Sequence, residues 1–168
     1  TDDSITKYNK FEANRNNLSH FSVRSLCVDR AGTLWVGTYS GGVNYYNPLN
    51  NRFVFYHPLG NSEQKLYNIF GPMVYSTGSL WIATEGGGLL QFNPATKEYT
   101  NYLLEERPVG MHNKNIIKSL MIERESIWCG TNNGGLYRFH IPTKRFSLIH
   151  QFNEKNLGIY SIYRDSNE

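Results

Sequence analysis

Three short polar segments of this sequence could bind a ligand, and each follows a threonine that ends an apolar segment. They are Tyr39-Ser40, Glu85-Gly86 and Asn132-Asn133. Hydroxyl, amide, carboxylate and aromatic side chains are suited to hydrogen bonding with sugar hydroxyls and to stacking on sugar faces. The same residue types are also ordinary turn formers. Tyr39, Ser40, Glu85, Asn132 and Asn133 are therefore candidate ligand-binding residues, and simple turn roles are the alternative.

Two further candidates lie elsewhere in the repeat. Tyr67 lies in the long connection 57–68, and Arg138 lies in an apolar segment predicted to be a strand. An arginine in a strand could meet an acidic sugar, although such residues more often pair with a carboxylate. We expect Tyr67 to lie near the same face as the three polar segments.

The signals for catalysis are poor. Glu105 and Glu106 are adjacent on a loop and do not form a positioned acid–base pair. The histidines form no HExxH motif, and the glycines at 86–88 lack the lysine and the helix of a phosphate-binding loop. No catalytic residue, metal or cofactor is therefore predicted for this region.

The polar segments are placed by a repeat that carries all three tryptophans. Trp35, Trp81 and Trp128 are 46 residues apart (35 to 81) and then 47 (81 to 128). A period of about 20–50 residues indicates a repeat architecture. The segment from Gly32 to Gly42 returns in recognisable form at 78–88 and 125–135.

The sequence of each unit predicts four short antiparallel strands, separated by turns that contain Gly, Asn, Asp and Pro. The units span approximately 21–57, 67–103 and 115–150. A last strand of a preceding unit is predicted at 4–9 and a first strand of a following unit at 158–165. Radially stacked four-stranded units form a β-propeller, usually of about 4–8 blades. The predicted fold is therefore all-β, a partial β-propeller that forms a single incomplete domain over 1–168.

The three tryptophans are predicted to be structural wedges between neighbouring blades. A buried tryptophan removes roughly 150–250 Å² from water. Three blades do not close a ring, so the open strand edges should pair with another surface. Either the remainder of its own propeller or other copies of the chain would supply that surface, and we favour a fragment of a longer chain.

Composition narrows the class of protein. The chain has 168 residues, of which 39% are hydrophobic and 18% charged, with a net charge of +3. This charge is too small and scattered to predict nucleic-acid binding. No apolar run is long enough to predict membrane insertion by this region. The two cysteines, Cys27 and Cys129, lie in apolar segments and are expected to be buried free thiols.

The unit Ser-x-x-x-x-Asp-x-x-Gly-x-Leu-Trp-Val-Gly-Thr-x-x-Gly-Gly resembles the two-component regulator propeller repeat. The first copy matches from Ser25 through Asp29 and Trp35 to Gly42. The second copy departs with Tyr75 at the aspartate and Ala83 at the glycine. The third has Glu123 at the aspartate and a turn shorter by one residue.

The resemblance implies a function that composition does not show. Propellers of this family form the periplasmic sensor region of hybrid two-component systems, inner-membrane proteins that respond to glycan-derived oligosaccharides. The resemblance thus implies a non-enzymatic periplasmic sensor segment whose kinase, receiver and DNA-binding parts lie outside these residues. The alternatives are a protein-interaction scaffold without a small ligand and, less favoured, a propeller lyase or glycosidase.

Overall fold

A computed structural model describes residues 17–47, 49, 52–56, 70–104, 114–152 and 157–165. The described residues form strands joined by turns, and none of them lies in a helix. The strands are β1 (Val23–Val28), β2 (Leu34–Thr38), β3 (Val43–Asn47), β4 (Arg52–Tyr56), β5 (Phe70–Ser76), β6 (Ser79–Thr84), β7 (Leu89–Asn93), β8 (Glu98–Tyr102), β9 (Ile117–Glu123), β10 (Ser126–Thr131), β11 (Leu136–His140) and β12 (Arg145–His150).

These strands form three antiparallel four-stranded sheets, in which each strand pairs with its neighbour in the chain. We call them blade 1 (β1–β4), blade 2 (β5–β8) and blade 3 (β9–β12). The first strands bring the blades together, because β1 contacts β5 and β5 contacts β9. The predicted all-β partial propeller is confirmed.

Strand alternation gives blade 2 two apolar faces. Leu80 and Ile82 belong to the core shared with blade 1, whereas Trp81 and Ala83 belong to the core shared with blade 3. Side chains of successive strand residues point to opposite faces, so one apolar run can supply both cores. This explains why all six residues of β6 are buried.

Two of the three tryptophans pack between blades. Trp81 is 0% exposed and its ring lies 5.4 Å from that of Phe139 in blade 3. Trp35 lies 6.1 Å from Phe92 in blade 2, in an edge-on arrangement. In both cases the partner is the aromatic residue eleven positions after the next tryptophan (92 from 81, 139 from 128). Trp128 is only half-buried.

The aspartate of the repeat holds the tryptophan in place. Asp29 Oδ2 accepts a hydrogen bond from Trp35 Nε1 at 3.0 Å, and its Oδ1 accepts from the backbone N–H groups of Ala31 and Thr33. Desolvation by itself raises the pKa of Asp29, but these hydrogen bonds outweigh it and leave the pKa below its ordinary value. In blade 3, Glu123 Oε2 accepts from Trp128 Nε1 at 2.9 Å.

Strand register corrects the alignment of the second repeat. Val74 pairs with Trp81 as Cys27 pairs with Trp35 and Met121 with Trp128. Two residues further on, Ser76 therefore takes the place of Asp29 and Glu123. The prediction that Tyr75 replaces the aspartate was wrong, because the first turn of blade 2 is also shorter by one residue than that of blade 1. Tyr75 instead packs against the core shared with blade 1.

The structure describes only one of the two predicted flanking strands. The predicted strand at 4–9 lies outside the described residues. Within 158–165, the structure has one antiparallel bridge, from Gly158 to Asn132, and no strand. This segment nevertheless lies against blade 3, since Ser119 Oγ donates to Ile159 O at 2.7 Å and Arg164 pairs with Glu123 at 3.1 Å.

Candidate functional site

The predicted ligand-binding residues belong to one kind of turn, which each blade repeats between its second and third strands. In all three turns a buried threonine donates twice to the carbonyl of the glycine four residues later. The backbone N–H lies 3.2 Å from that oxygen in each blade. The threonine Oγ1 lies 2.8–3.0 Å from it in the pairs Thr38–Gly42, Thr84–Gly88 and Thr131–Gly135. The turn residues between them are therefore held in a fixed position.

The final glycine of this turn is required by its backbone. Gly88 has φ +73 and Gly135 has φ +97, in the left-handed region that favours glycine. A Cβ at Gly88 would also collide with the carbonyl oxygen of Tyr102, and one at Gly135 with that of His150. The Gly-Gly of the repeat thus lets the turn approach the end of the fourth strand.

We call the surface formed by these three turns the turn face. In blade 1 it carries Tyr39, which is 38% exposed. The guanidinium of Arg24 lies 4.9 Å from the centre of the Tyr39 ring, and the His20 ring lies 6.1 Å away. Ser40 follows at the exposed tip of the turn. This arrangement combines an aromatic surface with a cation.

In blade 2 the turn face carries an ion pair that spans two blades. Lys118 Nζ, from β9 of blade 3, lies 2.5 Å from Glu85 Oε1, and both side chains are partly exposed. The backbone of Glu85 forms an antiparallel bridge with Ile116. Ile116 O in turn accepts a hydrogen bond from Asn132 N at 2.9 Å. The turns of blades 2 and 3 are therefore connected through one residue.

In blade 3 the turn face carries an amide and a phenol. Asn132 Oδ1 accepts from Tyr160 Oη at 3.2 Å. Asn133 has φ +86, a left-handed conformation that asparagine tolerates better than most residues. Its backbone N–H donates to Leu157 O at 3.1 Å. Asn133 thus has a structural role in the turn in addition to any contact with a ligand.

Arg138 does not lie on the turn face. It is opposite Trp128 in the β10–β11 pair, and directly opposed residues share a face of the sheet. Its side chain lines an open cleft at the other end of blade 3, together with Glu123, Arg124, Glu125, Ser126 and His140. The candidates brought to one face are Tyr39, Ser40, Glu85, Asn132 and Asn133, whereas Tyr67 lies outside the described residues.

Sequence reasoning missed the partners of these candidates. Arg24, Lys118 and Tyr160 were not among the predicted binding residues. Lys118 and Tyr160 come from the element that follows in the chain, so their contacts depend on how one blade packs on the next. The usable signal was their place in the segment predicted as the first strand of the following unit, which the turn of the preceding unit approaches.

No group of three His, Cys, Asp or Glu side chains among the described residues could hold a metal ion. Burial raises the pKa of the Cys129 thiol, and desolvation also raises the pKa of half-buried Cys27. Both shifts disfavour the nucleophilic thiolate. Within the described part of the chain, no helix has the length and apolar character needed to span a membrane.

Comparison with known proteins shows which family model this repeat matches. Residues 18–40 match the family model described as "Two component regulator propeller". The matched segment contains Ser25, Asp29 and Trp35, so the resemblance predicted from these residues is confirmed. A comparison with curated proteins gives no match.

Solved structures give a longer match. The chain is similar to the extracellular domain of a putative hybrid two-component system of B. thetaiotaomicron, with 28% identity and a TM-score of 0.69. The similarity covers 93% of this chain and 21% of that domain. The chain thus spans about a fifth of the length of the extracellular domain that it resembles.

Two other structures share the fold. A second extracellular domain of a putative hybrid two-component system of B. thetaiotaomicron has 22% identity and a TM-score of 0.60, covering 75% of this chain and 18% of that one. The computationally designed protein Ika4 has 12% identity and a TM-score of 0.61, covering 88% and 83% of the two chains. At these identities the likeness concerns the propeller architecture alone.

Proposed function

We propose that this chain supplies three blades to the periplasmic sensor region of a hybrid two-component system. The observation that carries this proposal is the similarity over 93% of the chain, at 28% identity, to an extracellular domain of such a system. The match of residues 18–40 to the two-component regulator propeller model supports it independently. Kinase, receiver and DNA-binding parts belong to other segments of the same protein.

We further propose that the turn face contacts an oligosaccharide derived from a glycan. Tyr39 offers an aromatic surface for a sugar ring. The Arg24 guanidinium lies 4.9 Å from the centre of the Tyr39 ring. The Glu85–Lys118 and Asn132–Tyr160 pairs offer charged and neutral hydrogen-bonding groups beside it. A few placed polar groups around an aromatic surface are the usual means of orienting a polar ligand.

The proposed role is binding without catalysis. Hydrolysis of a glycoside needs two carboxyl groups at a defined separation across the bond. The turn face has one carboxylate in its described turns, Glu85, and it is paired with Lys118. Binding would act on the kinase by favouring one of two arrangements of the sensor region, which requires different ligand affinities in the two arrangements.

Calorimetry tests this proposal with the sensor region that contains this chain and a panel of oligosaccharides. Tyr39→Ala and Glu85→Gln should each weaken binding of the active sugar about tenfold, the effect expected from losing a stacking contact or a charged hydrogen bond. Glu98→Gln, at the exposed start of β8, is the matched control and should leave binding unchanged.

Three results would contradict the proposal. Absence of heat with every sugar, together with capture of a protein partner, would favour a scaffold. Shortened sugars after long incubation would show a lyase or glycosidase. Binding that is insensitive to both turn-face substitutions would place the ligand on another surface.

A further inference from the structure

The three tryptophan side chains differ in how their indole N–H groups are satisfied. Trp35 Nε1 donates to Asp29 at 3.0 Å and Trp128 Nε1 donates to Glu123 at 2.9 Å. Trp81 Nε1 is buried and has no hydrogen-bond acceptor among the described residues. A buried donor without an acceptor costs free energy that its two counterparts do not lose.

The cause is the residue at the first turn of blade 2. Strand register puts Ser76 where Asp29 and Glu123 lie in the other blades. The serine side chain is shorter than that of aspartate or glutamate and carries no charge. Blade 2 therefore keeps the donor of the repeat and lacks its carboxylate.

A cation from the next blade lies over the face of the Trp81 ring. Lys144, in the turn between β11 and β12, places its Nζ 4.8 Å from the centre of the Trp81 ring and 5.6 Å from that of Tyr102. Lys144 Nζ also donates to Gln91 Oε1 at 3.3 Å, an oxygen that already accepts from Tyr102 Oη at 3.0 Å. Desolvation lowers the pKa of Lys144. Lys144 takes part in neither of the two ion pairs found among the described residues.

We propose that the junction of blades 2 and 3 around Trp81, Lys144 and Gln91 is a binding site for a small carboxylate. The guest carboxylate takes the place that the Asp29 and Glu123 side chains take in the other blades. One oxygen accepts from Trp81 Nε1 and the other pairs with the Lys144 ammonium. The side chain of Lys144, which is exposed and lies over the indole, must move aside to admit the guest.

Two features favour a single carboxylate over other anions. The repeat itself uses a carboxylate as the acceptor of the indole N–H twice, in Asp29 and Glu123. The site offers one cation, which balances one negative charge. Carboxylate groups also form strong, short bonds with charged donors. The site lies at the first-turn end of the blades, away from the turn face, so it is separate from the proposed oligosaccharide contacts.

The test is NMR of the indole N–H resonances of the chain during titration with sodium acetate. Trp81→Phe assigns its resonance by removing it. Acetate should shift the Trp81 resonance downfield with saturation and leave those of Trp35 and Trp128 in place, because their N–H groups already have acceptors. Acetamide and sodium chloride are the matched controls, and neither should produce a saturable shift.

Two variants make the assignment specific. Lys144→Met keeps an unbranched side chain, one atom shorter, and removes the charge, and should weaken acetate binding about tenfold. Ser76→Glu supplies a carboxylate from the chain itself, on a turn of the same length as that of Glu123, and should abolish the acetate response. An acetate shift that equals the acetamide shift, or that persists undiminished in Lys144→Met, would overturn the proposal even if Ser76→Glu did not fold.

Discussion

Trp35 and Trp128 each donate an indole hydrogen bond to a carboxylate and Trp81 does not, and this difference was less visible in the sequence than the packing of the three rings. Their nearly equal spacing predicted that all three would be wedges. The indole acceptors were not predicted, because matching Asp29 to its counterparts needs the strand register. Counting from the tryptophan with a constant turn length led to Tyr75 in place of Ser76. The contact of Lys144 with Trp81 could not be predicted, since it depends on how blade 3 packs on blade 2.

Trp81→Ala should reduce the free energy of unfolding by about 3–5 kcal/mol, as expected for a fully buried large aromatic residue. Trp128→Ala is the matched control, because Trp128 occupies the same place in the repeat and is only half-buried. It should cost less than half as much. Urea unfolding of both variants provides the measurement, and equal losses would show that the packing of Trp81 is not special.

Asp29→Asn should destabilise the chain at neutral pH and matter less in acid. The pKa of Asp29 is lower in the folded protein than its ordinary value of 3.8, so ionisation favours the folded state. That contribution is present above pH about 4 and is lost as the pH falls through the folded pKa. Unfolding curves should show that the difference in free energy of unfolding between wild type and variant is smaller at pH 3 than at pH 7.

Trp35→Phe provides the control for this pH effect. It removes the side-chain hydrogen bond that helps to lower the pKa of Asp29. In its background the Asp29→Asn gap should be smaller at pH 7. A gap that is the same at both pH values, with or without Trp35, would refute the role assigned to this carboxylate.

At the scale of elements, the repeated turn explains why its sequence recurs. Threonine fixes the turn through two hydrogen bonds, and the last glycine takes a left-handed conformation beside the end of the fourth strand. The strands and turns were predictable because alternation and Gly or Asn turns are local signals. Arg138 shows the limit of such signals. Its position on β11 was predicted, but the end of the blade that its side chain reaches was not.

Gly88→Ala should destabilise the chain more than Gly78→Ala. Both glycines have positive φ, +73 and +77, so the conformational penalty of alanine, about 1–2 kcal/mol, is shared. Only at Gly88 would the new Cβ collide with a backbone oxygen, whereas Gly78 has nothing within 4 Å. The free energy of unfolding, measured by thermal unfolding, should be about 1–3 kcal/mol lower for Gly88→Ala than for Gly78→Ala, which is the usual cost of overpacking. Equal losses would contradict the close approach to Tyr102.

At the scale of the whole molecule, three blades leave apolar surface exposed at both ends of the row. Leu26 and Val28 on β1 are each 63% exposed, and Tyr160 and Tyr163 beside blade 3 are 68% and 86% exposed. The sequence predicted an unclosed ring because it contains three complete units. The sequence predicted a strand over 158–165, whereas in the structure this segment packs on blade 3 with a single bridge.

We therefore expect the chain alone to self-associate through these surfaces. Sedimentation velocity should show the average mass rising with concentration. The double variant Leu26→Ser and Tyr163→Ser should shift the distribution towards monomer, while Thr100→Ser, at an exposed position on β8, should not. A single monomeric species over the whole concentration range would contradict this expectation.

The central claim is that the sheets are neighbouring blades held together by tryptophan wedges, and a double-mutant cycle across blades 2 and 3 tests it most directly. The two changes are Trp81→Leu and Phe139→Leu, whose rings lie 5.4 Å apart. Aromatic pairs contribute about 0.5–1.5 kcal/mol beyond their burial, so the cycle should give a coupling energy in that range. The control cycle of Trp81→Leu with Phe53→Leu in blade 1 should be additive within about 0.5 kcal/mol. Additivity of Trp81→Leu with Phe139→Leu as well would contradict the packing of blade 2 on blade 3.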